Sequence, residues 1–326
     1  MLLLITGATG KVGTALIARI AADPKWQGTP IRALCHNRLP QPAENLEVMR
    51  GSVSDRADVE RAMAGVTHVI HLATCKEVPE LVMDVTVKGL FWLLESFRTS
   101  PTAQQFILLG GDAGVGHFFY RHNGPVTEST PHQAYPGCYA LSKVLEEVML
   151  TQFTLQYGLN ACCLRAPWIM EKDDFRHTLS FGDDLFGGPD WKLMVPAEVA
   201  EKCRKEGTIP LLRDHDGKPL KRNFVHLDDL TDALLRALGN AVTRGKTYNI
   251  SMDEPIDYGA LAAHLHTTRG LPSISIASEF HSTWLDNSRA KFELGWRPGY
   301  DLARLTDASF DYQRAADDPR KVWYPG

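Results

Sequence analysis

The first thirteen residues, MLLLITGATGKVG, restrict the possible folds more than any other stretch of the chain. An apolar run over residues 2–5 leads into Thr6-Gly7-Ala8-Thr9-Gly10-Lys11-Val12-Gly13, and helix-period apolar residues then continue to about residue 22. The spacing is GxxGxxG between a strand and a helix. Gly7 permits the tight turn, Gly10 lets the backbone come close to a ligand, and Gly13 lets the helix pack against the strand. The helix start adds unpaired N–H groups and the positive end of its dipole, which together favour an anion. With a strand before it and a helix after it, the pattern reads as a cradle for a dinucleotide pyrophosphate. A tight strand–helix turn without a ligand is the alternative reading.

The rest of the first half repeats this rhythm. Short apolar runs at 31–35, 47–50, 69–73, 106–109 and 161–164 alternate with helical patterns at 54–64, 80–97 and 139–157. Such alternation predicts βαβ units with right-handed crossovers, hence an α/β fold with a doubly wound parallel sheet of the Rossmann type. After Arg165 the rhythm breaks into clusters such as FGDDLFGGPDW, and it returns with a helix at 227–238 and a strand at 248–250. The expected organisation is a dinucleotide-binding domain over 1–169, completed by 223–250. A smaller substrate-binding lobe is expected from 170–222 and 251–326.

A net charge of −4 gives no general attraction to nucleic acid or an anionic membrane. The six cysteines show no CxxC pairing, which points to buried free thiols, a cytoplasmic location and no metal. His117 and His122 lack zinc spacing. The apolar start has no basic n-region, so it reads as a strand rather than a signal peptide. No apolar run approaches the roughly 18–20 residues of a membrane span.

Cofactor choice in such folds depends on the end of the second strand, where an acid would bind the ribose 2′-hydroxyl of NAD. Cys35-His36-Asn37-Arg38 contains no acid there. Arg38, helped by His36, is suited to a 2′-phosphate, so NADP is favoured, with NAD as the alternative. A solvated loop arginine is the competing reading of Arg38.

Tyr139-Ala140-Leu141-Ser142-Lys143 spells YxxxK at the start of the 139–157 helix. The spacing puts a phenol and an ammonium on one face, one turn apart. A tyrosine with its ordinary pKa of about 10 is a poor base at neutral pH, and a fixed cation beside it stabilises the phenolate.

With these motifs in order, the chain resembles the extended short-chain dehydrogenase/reductase family, of the NAD(P)-dependent epimerase/dehydratase type, over nearly its whole length. TGATGKVG is similar to the family's TGxxGxxG, HLAT at 71–74 to its fourth-strand motif, and TPHQAYPGCYALSK to its active-site segment. LRAPWIM at 164–170, RNFVHLDDLTDAL at 222–234 and LGWRP at 294–298 resemble its later signatures. The resemblance implies Tyr139 as acid/base and Lys143 as the residue that binds the nicotinamide ribose and depresses the tyrosine pKa. It implies cofactor contacts from Gly7, Thr9, Gly10, Lys11, Val12 and Gly13, from Ser52 and Val53, from Leu72, Ala73 and Thr74, and from Pro167. The implied activity is hydride transfer at a carbohydrate-like hydroxyl or ketone of a sugar, sugar acid or nucleotide sugar. A homodimer through helices 80–97 and 139–157 is also implied.

Three positions depart from the family pattern. Ser52-Val53 stands where Asp-Leu is common, and Thr86 where many members have asparagine. Gly111 occupies the place of the Ser or Thr that donates to the reacting oxygen; loss of such a donor can cost roughly 10²–10³ in rate. Thr74 and Cys75 are candidate replacements. Asp112 aligns with an acid of the dehydratase branch, although a turn-capping role fits equally, and Ala113 replaces that branch's glutamate. On the substrate side, Arg222 reads either as a binder of an anionic group or as a hinge salt bridge. Trp168 reads as a pocket wall or as packing. The aromatic and acidic segment 171–192 reads as a lid or as a surface excursion. The rival to an enzyme is a dinucleotide-binding sensor without turnover, which the glycine at 111 motivates.

Overall fold

The computed structural model describes residues 1–182 and 189–318. Its central sheet has seven parallel strands: β1 (Leu3–Thr6), β2 (Ile31–Cys35), β3 (Leu46–Arg50), β4 (His68–His71), β5 (Gln105–Gly111), β6 (Ala161–Ala166) and β7 (Thr247–Asn249). Their order is β7-β6-β5-β4-β1-β2-β3. The chain therefore runs outward from β1 to β3 and then crosses back to β4. That reversal opens a crevice at the carboxyl ends of β1 and β4, where doubly wound sheets bind their ligands. The α/β class expected from the sequence is the fold observed.

The central strands are buried and mostly apolar because helices cover both faces. Leu3 and Ile5 of β1 join one buried cluster with Leu16 and Ile20 of helix α1 (Lys11–Ala22). Leu4, between them, points to the other face and joins a second cluster with Leu93 and Phe153. Those two residues lie on α3 (Gly89–Thr99) and α4 (Cys138–Tyr157), while Val59 on α2 (Arg56–Met63) packs in the same cluster.

One local expectation changes. In place of a continuous helix over 80–97, a turn at Pro79–Val82 passes into a π-helical stretch, Met83–Lys88, before α3 begins. The wider turn brings buried Thr86 to the end of β4, where its Oγ1 accepts the Cys75 N–H at 2.9 Å. Wide turns of this kind recur at functional sites.

A third cluster gathers Met170, Phe175, Trp191, Leu220 and Leu261 beside three short strand pairs. Within segment 171–192, Phe175, Phe181 and Trp191 are buried core residues of this cluster, whereas Phe186 lies outside the described residues. Among the described residues no helix is long and apolar enough to cross a membrane, and no group of side chains has the makings of a metal site. All six cysteines are free thiols, and only Cys138 is not fully buried.

Candidate active site

The glycines of the opening turn are needed where backbone meets backbone. Gly7 has φ +67°, and a Cβ there would lie 2.7 Å from Ala73 N. A Cβ on Gly13 would lie 2.6 Å from Ala8 Cα. Gly10 differs, because its Cβ position faces open space apart from Gly7 O at 3.2 Å. Gly10 also caps α1 with no side chain over the first N–H groups. The result is a shallow cradle at a helix start that a pyrophosphate fits and most side chains would fill. Thr6 fixes its opposite wall: Oγ1 meets His71 Nδ1 at 2.6 Å and accepts the Leu72 and Ala73 N–H groups at 3.3 Å. Burial, with Lys143 adding, holds the His71 imidazole down at about 3, so it is neutral.

Lys11 behaves differently from the rest of the turn. Its Nζ lies 2.5 Å from buried Asp174 and 3.2 Å from the Ile169 carbonyl, which ties the turn to the third cluster. His36 and Arg38 are exposed just beyond β2. Ser52 is half-buried after β3, and Val53 is buried against Gly89.

Tyr139 enters on the first turn of α4, and the structure shows how that turn is anchored. Glu77, beyond β4, accepts the Tyr139 N–H and the Cys138 thiol, both at 3.3 Å. Gly137, at φ +155°, brings the chain so close to this carboxylate that a Cβ would lie 2.6 Å from it. A carboxylate at a helix start is favoured by the dipole. Lys143, only 3% exposed, follows one turn later, with Nζ 5.7 Å from the Tyr139 ring centre and 3.4 Å from the Leu109 carbonyl.

Gly111 ends β5 directly opposite the phenol. Its backbone is extended, and a Cβ built on it would stand 3.6 Å from Tyr139 Oη and 3.8 Å from Lys143 Cδ, ordinary contact distances. The position is open to a side chain. Gly111→Ser is therefore expected to fold with a melting temperature close to that of the parent and to raise turnover by about tenfold or more through an added donor. Parallel melting curves and initial rates check this; a normally folded variant with unchanged or lower turnover would show that the missing hydroxyl is not limiting.

The candidate replacements Thr74 and Cys75 both make local hydrogen bonds just after β4. Thr74 Oγ1 bonds the Cys75 carbonyl at 3.4 Å, and the Cys75 N–H bonds Thr86. The next residue, Lys76, has its Nζ 4.3 Å from the Tyr139 ring centre. Burial, followed by repulsion from Lys143 and Lys11, brings its ammonium down to about 8. No sequence motif marked Lys76; only the fold stacks it on the phenol.

Asp112, Arg222 and Trp168 prove to be connected, through a histidine set aside as a metal ligand. His117 Nδ1 lies 2.5 Å from Asp112, and Arg222 Nε donates to His117 Nε2 at 3.2 Å. Since Nε2 accepts, the ring is neutral and Nδ1–H donates to Asp112, in keeping with burial lowering the His117 pKa. The Arg222 guanidinium lies 4.1 Å from the Trp168 ring and 4.5 Å from Phe118, and it also bonds Tyr258. At 4% exposure Arg222 is part of a wall. Pro167 is buried between β6 and Trp168.

Behind the site, Glu147 on α4 receives both arms of Arg165 on β6, at 3.0 and 2.6 Å, and His132 at 3.2 Å. Arg165 also reaches Asn249 on β7 at 3.3 Å. This buried cluster sets α4 at a fixed height on the sheet.

The model of the NAD dependent epimerase/dehydratase family matches residues 3–177. The chain belongs to that family, and with it to the enzymes of the extended short-chain dehydrogenase/reductase type. A UDP-glucose 4-epimerase of Mycolicibacterium smegmatis is 26% identical over 332 residues, spanning 92% of this chain and 94% of that protein. A vestitone reductase of Medicago sativa is 24% identical over 337 residues, spanning 96% and 93%. Among solved structures, a short-chain dehydrogenase/reductase superfamily protein from Agrobacterium tumefaciens with bound NAD has a TM-score of 0.78 at 22% identity. That likeness covers 95% of this chain and 96% of the other.

Proposed function

We propose that this protein is an NAD(P)-dependent oxidoreductase or epimerase acting on the hydroxyl or ketone of a carbohydrate-like substrate, with Tyr139 as acid/base. The observation that carries this reading is the convergence of the Tyr139 hydroxyl on the open Gly111 position, with Lys143 one turn behind. When bound, the nicotinamide supplies the hydride exchange. Tyr139 gives its phenolic proton to a carbonyl oxygen or takes one from a hydroxyl, and the Lys143 ammonium favours the phenolate. Gly7, Thr9, Gly10, Val12 and Gly13 hold the pyrophosphate through the turn backbone. Leu72, Ala73, Thr74 and Pro167 line the nicotinamide end. Trp168 and Arg222, braced through His117 by Asp112, form the substrate wall.

Exposed His36 and Arg38, in a segment over residues 35–38 that itself carries no acid, support NADP over NAD. The UDP-glucose 4-epimerase relative supports a nucleotide sugar within the carbohydrate class. Leu141, Val148 and Leu155 form an exposed apolar stripe on α4, with Phe91 exposed on α3, and this supports a homodimer.

Mass spectrometry of freshly purified, denatured protein should recover a dinucleotide or, failing that, added NADP should bind more tightly than NAD. Turnover of a sugar, sugar-acid or nucleotide-sugar panel should follow, and sedimentation of the same sample should give a dimer. Tight dinucleotide binding without turnover of any panel member would favour the sensor over the enzyme.

A further inference from the structure

Glu146 sits on α4 three residues beyond Lys143, with 0% exposure. Its Oε2 lies 2.7 Å from Lys143 Nζ, and its oxygens have no other donor among the described residues. The next residue, Glu147, is fully engaged by Arg165 and His132. Two adjacent buried carboxylates thus have unlike surroundings. Hydrogen bonds hold Glu147 at about 2 against its burial, whereas burial pushes Glu146 up to about 7, with Lys143 opposing and Glu147 reinforcing. A buried charge with one partner is closely coupled to that partner.

We propose that Glu146 is a positioning residue that draws the Lys143 ammonium away from Tyr139 and partly cancels the charge the phenol feels. This rests on the reading of Tyr139 as the acid/base. Ionised, Glu146 offsets Lys143; on taking up one proton from solvent, it leaves the full ammonium charge to act on the phenol. The groups facing Glu146 are Lys143 and Glu147 on its own helix and the Cys163 thiol on β6. Lys143 is faced in turn by neutral His71 from β4 and by Lys76. Arg165 and His132 act on Glu147 and are common to every form of the pair.

The test needs no substrate. Ultraviolet difference titration of the full-length protein saturated with NADP, each sample read against its Tyr139→Phe counterpart, reports ionisation of this one phenol. In the parent the midpoint is expected below the usual tyrosine range. Glu146→Gln should move it down by about one further pH unit, since an opposing charge has been removed. Glu146→Asp should fall between the two, and Lys143→Met combined with Glu146→Gln should cancel the further fall that Glu146→Gln alone produces. If Glu146→Gln does not fold, Glu146→Asp carries the comparison. A lowered parent midpoint that neither Glu146 variant moves overturns the role of Glu146 alone. A parent midpoint at the ordinary value of about 10 overturns the acid/base reading of Tyr139, and the inference with it.

Discussion

Tyr139→Phe is expected to lower turnover by about 10²–10⁴-fold while dinucleotide affinity changes by less than about threefold. The asymmetry follows from what each part of the site holds. The phenolic oxygen lies opposite the Gly111 end of β5, where the proposed mechanism brings the reacting oxygen of a substrate. The proposed pyrophosphate cradle is built from Gly7, Gly10 and Gly13, all distant in sequence from the substitution, and Lys143 is kept. The loss corresponds to roughly 3–5 kcal/mol of transition-state stabilisation, the share a well-placed acid/base supplies. Phenylalanine retains the ring beneath the Lys76 ammonium, so the fold should change little. Initial rates on the substrate found in the panel, with a fluorescence titration of the dinucleotide, separate the two effects. Retention of parental turnover would remove Tyr139 from the mechanism.

The largest effect on stability is expected at Glu147→Gln. Arg165 is 1% exposed, and its guanidinium would lose the carboxylate that takes two of its hydrogen bonds. Breaking a buried ion pair from one side costs about 3–5 kcal/mol, because the surviving charge stays buried. The same residue predicts a pH dependence. Its folded pKa of about 2 lies below the ordinary carboxylate value, so its contribution is fully present above that ordinary value. It is lost as pH falls from there through about 2. The neighbouring Glu146 has the opposite sign. It is raised to about 7, so its contribution is largest below the ordinary carboxylate value and fades as pH rises toward 7. Urea unfolding at several pH values distinguishes them: Glu147→Gln should flatten the acid limb and leave the slope between about pH 4.5 and 7 in place. An acid limb as steep as the parent's would show that the Glu147–Arg165 pair does not carry it.

These two residues also show where reading the chain by itself stops. The YxxxK spacing puts Tyr139 and Lys143 on one helical face whatever surrounds the helix. The two glutamates that follow are equally close in sequence, and i,i+3 and i,i+4 spacing both allow a partner for Lys143. Which one reaches it depends on how α4 is rotated against β5 and β6, and that rotation comes from packing. The helix expected over 80–97 is similar: its apolar stripe was legible, whereas the π-helical turn that carries Thr86 to Cys75 was not.

Arg222 illustrates a further limit. A binder of anions and a hinge salt bridge were both consistent with RNFVHL, which gives no sign that the guanidinium is held by His117 and packed over Trp168 and Phe118. Its partner His117 lies 105 residues away. The Lys11–Asp174 tie spans 163 residues, and the Glu77 anchor of the Tyr139 helix spans 62.

The opening TGATGKVG and the YALSK helix were determined by sequence alone because each is a local geometry. A glycine spacing sets a turn, a 3.6-residue period sets a face, and alternating apolar runs set a covered parallel sheet. The tertiary structure decided what surrounds the phenol: an open Gly111, Lys76 stacked on its ring, Glu77 at its helix start, and Glu146 on its lysine. The physical reason is range. Turn and helix propensities act over a few residues, whereas burial and charge pairing depend on which distant segments the sheet order brings together.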